Sequence, residues 1–176
     1  MRQVMRAIAL GALLLAGAVP LPASGADPAV PSGKLYEMEV MGVAPDPGTG
    51  APLVFLRGKE DKRELSMFIG PPEAQAIAAP LQGLRPPRPQ THDLTLALIH
   101  RFKARVKRVL IAELKDQTYY AQLILDAQGQ EIVLDSRPSD AIALALREDA
   151  PIWAAEQVFQ RQPPLAPPQA PEPRNP

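Results

Sequence analysis

The hydrophobic pattern between residues 34 and 160 predicts strands and helices in a mixed order. Short apolar or alternating runs, bounded by turn residues, predict seven strands, at residues 34–44, 53–58, 64–70, 106–114, 118–126, 131–136 and 151–159. Helical spacing predicts three helices, at residues 71–84, 91–104 and 141–148. In the second of these helices, the residues at helical spacing are Leu94, Ala97, Leu98 and Phe102.

Proline and glycine indicate where several of these elements end. Pro80 is expected to end or kink the first helix, because proline lacks the backbone N–H that a helix needs. Gly129 is the expected positive-φ residue of the hairpin turn at residues 127–130, which read AQGQ. Pro151 opens the last predicted strand, where a missing N–H costs little.

The two halves of the pattern resemble each other. Residues 76–78 and 141–143 both read Ala-Ile-Ala, 65 positions apart, and each half has the order βββα. This order predicts an internal duplication. It also predicts the α+β class, with an antiparallel sheet and helices packed on it in a single domain.

The start of the chain is predicted to lie outside this domain. Two arginines precede an uncharged apolar run at residues 7–19, and small residues follow, which is the order of a secretory signal peptide over residues 1–26. Cleavage would fall before Asp27, or after Gly25 as the near alternative. The other alternative is an uncleaved anchor, although a run of roughly 13 apolar residues is short for a membrane span of about 20. We therefore expect export to the periplasm or the extracellular space, with no membrane span in the mature form.

The end of the chain and the composition bound the domain further. Residues 161–176 are nearly half proline and predict a disordered or polyproline-II tail, which leaves residues 29–160 as one domain.

There is no cysteine, so the core must suffice without disulfides. Arg2 and Arg6 are two of the 19 basic residues, so the mature chain carries 17 against 19 acidic ones. This balance argues against binding nucleic acid through overall charge, but not through a local basic patch.

The polar segment at residues 135–140, DSRPSD, precedes the third predicted helix. Ser136 or Ser139 can cap that helix, and the proline and the second aspartate suit its first turn. Capping does not require Asp135 and Arg137 as well. About half of the segment is therefore available for another role.

Asp135 and Asp140 are five residues apart across a strand–helix junction and are expected to converge. Two carboxylates suit a divalent ion with oxygen ligands, either Mg²⁺ or Mn²⁺. Such an ion could activate water and hold the scissile phosphate, which Arg137 would also contact. The alternative is that these charges form ion pairs that only stabilise the junction.

The segment at residues 85–93, RPPRPQTHD, is a second candidate. His92 is one of two histidines, and histidine suits general acid or base chemistry near neutral pH. Stiff prolines hold Arg88 close to a predicted helix start, which is a ready phosphate site. Thr91 or Asp93 can cap this helix. A structural or solvated histidine is the alternative.

A basic run is the third candidate. Residues 85–108 hold seven lysines and arginines and a single acid, and five of the cations fall within residues 101–108. Arg101, Lys103 and Arg105 are predicted to contact the phosphates of a nucleic acid in a salt-sensitive manner. The alternative is an ordinary solvated face, because helix C-termini and strand edges both favour cations.

Other side chains carry weaker signals. Phe102, Tyr119 and Tyr120 could stack on bases, although at least one tyrosine should face the core. Glu73 is expected to be a helix cap, with an extra ligand role as the alternative. No P-loop, GxGxxG, HExxH, nucleophile elbow or Cys/His zinc spacing is present, which removes most common enzyme classes.

Four blocks occur in order: FIGPPEAQAIAAPLQG, PRPQTHDL, YYAQLIL and LDSRPSDAIALALREDAPIWAAEQV. Together they resemble the bifunctional nuclease domain family over roughly residues 36–158. The resemblance implies an α+β fold and a nuclease that acts on both DNA and RNA. The leader and the proline-rich tail depart from the mostly intracellular pattern of that family.

Two hypotheses follow. The first is an exported phosphodiesterase with little sequence preference, in which Asp135 and Asp140 hold the metal, Arg137 and Arg88 bind phosphate, and His92 moves a proton. The second is a non-catalytic binding or assembly module of the cell envelope on the same fold. A homo-oligomer is compatible with either hypothesis.

Overall fold

A computed structural model describes residues 33–161, so the predicted signal peptide and nearly all of the predicted tail lie outside the described residues. The elements in chain order are β1 (Leu35–Pro45), β2 (Pro52–Gly58), β3 (Glu64–Phe68), α1 (Pro71–Leu81), α2 (Thr91–Arg101), β4 (Ala104–Lys115), β5 (Thr118–Ala127), β6 (Gln130–Ser136), α3 (Pro138–Glu148), β7 (Ile152–Ala155) and α4 (Glu156–Arg161). The predicted α+β class is confirmed.

All seven strands form one sheet in the order β3-β2-β1-β7-β4-β5-β6. Neighbouring strands are antiparallel except β4 and β7, which are parallel, so the sheet departs from the antiparallel prediction at one pair. Strands of the first half lie on one side of β7 and strands of the second half on the other. The internal duplication stays a prediction.

Two tight turns set the register of the second half. Asp116 and Gln117 join β4 to β5, and Gln128 and Gly129 join β5 to β6. All four residues have positive φ, as two-residue hairpin turns of type I′ require. The positive φ predicted for Gly129 is confirmed.

Helix α3 lies at the centre of the fold. Seven of its eleven residues are buried, including Ile142. Alanines on α3 and on α1 allow the two helices to approach closely, and α3 also packs against β4, β5 and α2. Burial of this helix against both the sheet and the other helices removes apolar surface from water and so stabilises the fold.

The two faces of the sheet are covered differently. On the face that carries the helices, Val109, Leu123 and Leu125 belong to the main core. On the opposite face, Leu110 and Ile124 belong to a small second cluster, against which Val133 and Trp153 pack. Successive strand residues point to opposite faces, which explains this division.

The sheet is curved. The Tyr119 hydroxyl at the start of β5 donates a hydrogen bond to the backbone oxygen of Ser66 in β3, at 3.3 Å. Four strands separate β3 from β5 in the sheet, so the sheet must curve to bring these two strands within contact distance. Burial also raises the pKa of the Tyr119 hydroxyl.

Three predicted elements differ from the structure. The last strand ends at Ala155, and Glu156–Arg161 form α4, which contains the first residue of the predicted tail. Helix α2 ends at Arg101, because the chain turns at Lys103, which has a positive φ, to enter β4. Pro80 lies inside α1, which ends one residue later.

The apolar stripe predicted for α2 faces outward. Leu94, Leu98 and Phe102 are exposed, whereas Leu96 and Ile99 pack against the main core. The helix therefore has apolar residues on two faces, and the face with Leu96 and Ile99 is the one that packs inward. Within the described residues, no helix is both long and apolar enough to span a membrane.

Candidate active site

The first turns of α1, α2 and α3 meet on the helix-covered side of the molecule. Helix α3 packs against both other helices, and each of the three supplies a charged or polar side chain at its start. Residues that are far apart in the sequence thereby come into contact.

His92 and Asp140 form the centre of this cluster. The His92 Nε2 atom lies 3.0 Å from the Asp140 Oδ1 atom, across 48 residues of sequence. The His92 side chain is mostly buried, at 14% exposure, and the Asp140 side chain is 31% exposed. The structure thus brings together two of the residues that the sequence predicted as catalytic.

Arg137 closes the cluster on the solvent side. Its Nε atom donates to Asp140 Oδ2 at 2.7 Å, and its Nη2 atom pairs with Glu73 Oε1 at 2.9 Å. The Arg137 side chain is nevertheless 66% exposed, while that of Glu73 is 17% exposed. A guanidinium placed in this way can meet a second anion, such as a phosphate, from the solvent side.

The neighbours of Asp140 hold it in the ionised form. Partial burial by itself raises the pKa of the Asp140 carboxyl, but hydrogen bonds and charge from Arg137 and His92 outweigh burial and lower it. In return, the hydrogen bond and charge of Asp140, together with Glu73, raise the pKa of Arg137. The cluster is therefore a carboxylate held between a histidine ring and a guanidinium.

The helix starts differ from the predicted caps. Arg137 is the N-cap residue of α3 and no side chain caps this helix, while the Ser136 hydroxyl donates to the Arg137 carbonyl. On α2, Thr91 is already helical, whereas Asp93 accepts a hydrogen bond from the backbone N–H of Gln90 at 2.7 Å. The serine caps were wrong, and the capping role of Asp93 is confirmed.

Asp135 does not join Asp140. In the β5–β6 pair, Asp135 lies directly opposite Gln122, and Val133 lies opposite Ile124. Ile124 and Val133 belong to the small second cluster, on the face of the sheet without the main core. Strand alternation places Asp135 on that same face, whereas Asp140 belongs to a helix on the other face. The two carboxylates that were predicted to share a metal ion are therefore separated by the sheet.

The described part of the chain does not offer a substitute ligand set. Among residues 33–161, no group of three or more histidine, cysteine or acidic side chains could hold a metal ion. Near Asp140, the other carboxylate is Glu73, and Arg137 stands between the two. These residues therefore do not fit a preformed divalent-metal site.

The predicted substrate-binding residues fall into two groups. Arg105 is paired with Asp126, with Nε and Nη2 both donating to Oδ2, at 3.2 and 2.9 Å. Arg88, Arg101 and Lys103 are exposed and form no ion pair within the described residues. Arg88 lies in the loop before α2, and the other two lie at its C-terminal end.

Two further cations of the basic run, Lys107 and Arg108, pair with one acid on β6. Glu131 on β6 pairs with Lys107 and receives two hydrogen bonds from Arg108, at 2.9 and 3.1 Å. Hydrogen bonds first from Arg108 and then from Lys107 lower the pKa of Glu131 to about 2. Fewer basic side chains of residues 85–108 are therefore unpaired than the sequence predicted.

This pairing gives a testable pH dependence. Because the pKa of folded Glu131 lies below its ordinary value of 4.5, the pair stabilises the fold above that value, and the stabilisation is lost as pH falls toward about 2. Arg108→Ala should raise the pKa of Glu131 toward 4.5, as measured by NMR titration of its carboxyl carbon. An unchanged titration would contradict the pairing.

Two contacts near the cluster were not anticipated from the sequence. Glu73 was expected to be a cap, but it binds Arg137. Arg147, in the last turn of α3, had no predicted role, and its Nε atom donates to Asp93 Oδ1 at 2.7 Å. The hydrophobic pattern gives no signal for either contact, because both depend on how the helices cross.

Comparison with known proteins places this site in a family. Residues 54–164 match the family model described as the bifunctional nuclease domain. An uncharacterized protein of Mycobacterium tuberculosis is 41% identical over 123 residues, which cover 70% of this chain and 73% of that protein. Bifunctional nuclease 1 of Oryza sativa subsp. japonica is 36% identical over 104 residues, which cover 56% of this chain and 31% of the rice protein. This chain belongs to the bifunctional nuclease domain family.

Proposed function

We propose that this protein is a nuclease that hydrolyses phosphodiester bonds in DNA and RNA with little sequence preference. The observation that carries the proposal is the contact between His92 and Asp140 at 3.0 Å, beside the exposed guanidinium of Arg137. Membership of the bifunctional nuclease domain family and similarity to bifunctional nuclease 1 of rice support it.

Arg137 binds the scissile phosphate in this proposal. Its Nε and Nη2 atoms are occupied by Asp140 and Glu73, but its side chain is two-thirds exposed. A second anion can therefore approach the outer edge of the guanidinium, and the fixed positive charge stabilises the charge that develops on the phosphoryl oxygens. The two carboxylates hold the guanidinium in place before substrate arrives.

His92 moves the proton. Because Asp140 is ionised, it accepts a hydrogen bond from Nε2–H, which leaves Nδ1 of His92 as the basic ring nitrogen. The oxygen of water forms a bond to phosphorus, one proton of that water goes to Nδ1, and the phosphorus–oxygen ester bond breaks. The protonated ring or solvent then supplies a proton to the leaving oxygen.

The free cations extend this site along α2. Arg101 is nine residues after His92, which corresponds to about 14 Å along a helix. A strand at the duplex rise spans that distance with roughly four nucleotides. Arg101, Lys103 and the exposed ring of Phe102 would therefore contact phosphates and a base a few nucleotides from the scissile bond.

The salt dependence of binding tests this substrate path. Arg101→Ala combined with Lys103→Ala should weaken binding of a fluorescent single-stranded oligonucleotide and reduce the slope of log K against log[salt] by about 1.4, which is about 0.7 for each phosphate contact. The matched control is Arg57→Ala with Lys59→Ala, which removes the same charge from residues paired with Glu64 and Glu37. Equal changes in both proteins would mean that only net charge matters.

Cleavage itself is measured on plasmid DNA and on single-stranded RNA, in the presence of Mg²⁺, Mn²⁺ or EDTA. The proposal predicts products from both substrates in at least one condition, and the EDTA arm measures any metal requirement directly. If no product forms in any condition, the nuclease proposal fails.

A second candidate, a binding or assembly module, has one observation in its favour. The outward face of α2 exposes Leu94, Leu98 and Phe102 together, and apolar groups of this kind often mark contact surfaces. Such a module would show no cleavage in the assay above, whereas Leu98→Asp would change its state of assembly by light scattering.

The place of action is also part of the proposal. The leader pattern at residues 1–26 supports export, with the nuclease acting in the periplasm or outside the cell. Mass spectrometry of the protein recovered from the producing cell tests this directly. A mature N-terminus at Asp27 or Ala26 is expected, and a retained leader would contradict it.

A further inference from the structure

Helix α2, which carries His92, contacts α3 through polar side chains, while its Leu96 and Ile99 pack against the main core. None of its eleven residues is fully buried. Three side-chain pairs join it to α3, namely His92–Asp140 at 3.0 Å, Asp93–Arg147 at 2.7 Å and His100–Glu148 at 2.8 Å. Because none of the residues of α2 is fully buried, these three pairs help to set the position of His92 at the start of the helix.

Arg147 is the most buried cation in these pairs, and it contacts all three helices of the site. Its side chain is 10% exposed. Nε donates to Asp93 of α2, while Nη1 lies 2.8 Å from the backbone oxygens of both Ala76 in α1 and Ala143 in α3. A single guanidinium thus fixes the spacing of the helices whose first turns form the cluster.

Both carboxylate oxygens of Asp93 are engaged. Oδ1 accepts from Arg147, and Oδ2 accepts from the backbone N–H of Gln90 at 2.7 Å. These hydrogen bonds and the charge of Arg147 lower the pKa of Asp93, which stays ionised. Asp93 therefore fixes the rotation of the first turn of α2, and His92 is the preceding residue of that turn.

We propose that Arg147 is a positioning residue that holds the His92 ring within hydrogen-bonding distance of Asp140. The catalytic consequence rests on the proposed function, whereas the structural consequence does not. Lysine cannot replace the arginine here, because one ammonium group cannot match a planar fork that reaches a carboxylate and two carbonyl oxygens. A displacement of about 1 Å at a reacting group can cost up to about 100-fold in rate.

NMR of the histidine rings tests the proposal without any enzymatic assay. The chain has two histidines, so His100→Gln assigns the ring signals of His92. Arg147→Lys should shift the His92 ring signals at fixed pH toward those seen in Asp140→Asn. The matched control is Glu148→Gln, which breaks another α2–α3 pair and should leave the His92 signals in place.

Kinetics supply the second readout. With the same proteins, Arg147→Lys should lower kcat by about 10- to 100-fold and change KM less than twofold, because the phosphate contacts remain while His92 is displaced. If Arg147→Lys does not fold, Asp93→Asn weakens the same ion pair at its more exposed partner. The expected changes in the His92 signals, in kcat and in KM are the same.

The outcomes separate the two proposals. If Arg147→Lys and Asp93→Asn both fold and both keep the wild-type His92 ring signals and the wild-type kcat, the positioning role is overturned. If the wild-type protein cleaves nothing but the variants shift the His92 signals, the positioning role stands and the proposed function fails.

Discussion

Asp140→Asn should lower kcat for phosphodiester cleavage by about 100- to 10,000-fold, the range that a positioned acid–base group contributes. The substitution keeps the size of the side chain but removes the charge that faces His92 Nε2 and Arg137 Nε. An amide can donate to the ring as well as accept from it, so the tautomer that leaves Nδ1 basic is no longer enforced. The measurement is single-turnover cleavage of a labelled oligonucleotide, with circular dichroism to verify the fold.

Asp135→Asn is the informative comparison for this variant. If the two aspartates formed one site, as the sequence predicted, both variants would lose activity together. The structure places Asp135 across the sheet from Asp140, so Asp135→Asn is expected to retain most of the wild-type rate. A large loss in Asp135→Asn would contradict that placement.

The lowered pKa of Asp140 also has a consequence for stability. A carboxyl whose pKa is lower in the folded state stabilises the fold above its ordinary pKa of 3.8, and this contribution disappears as pH falls through the lowered value. The difference in unfolding free energy between wild type and Asp140→Asn should therefore shrink in strongly acidic buffer. A difference that grows with acidity would contradict the ionised carboxylate.

Ile142→Ala should lower the free energy of unfolding by about 2–5 kcal/mol, because it opens a cavity in the centre of the fold. Ile142 has no exposed surface, and it lies on α3 between the sheet and the other helices. Leu98→Ala is the matched control on α2. Its side chain is about half exposed, so the expected loss is within about 0.5 kcal/mol.

Urea denaturation at neutral pH measures both variants. Equal losses would mean that Leu98 is buried after all, either in the core or against a second copy of the chain. Measuring the control over a range of protein concentrations separates these two explanations, because only an interface makes stability depend on concentration.

The strands and their turns could be predicted because local chemistry determines them. Short runs rich in apolar residues identified β5 and β6, and Gly129 identified the turn between them, since few other residues adopt its positive φ easily. Helix α2 shows the limit of such reasoning. Apolar residues lie on two of its faces, and the choice between them comes from contacts with α3, which no local pattern encodes.

The candidate site shows the same division between local and tertiary information. His92, Arg137 and Asp140 were selected because helix starts with dense polar residues suit phosphate chemistry. Their contact, however, required the crossing of α2 over α3. Asp135 was expected to converge with Asp140 because the sequence alone did not fix the face on which the end of β6 presents it.

The central claim is that His92 and Asp140 act as one catalytic unit, and a double-mutant cycle tests it most directly. Cleavage rates would be measured for wild type, His92→Gln, Asp140→Asn and the double variant. If the two residues act together, the double variant should be no slower than the slower single variant. If instead the two losses multiply, the residues act independently, and the 3.0 Å contact is a structural link and not a catalytic pair.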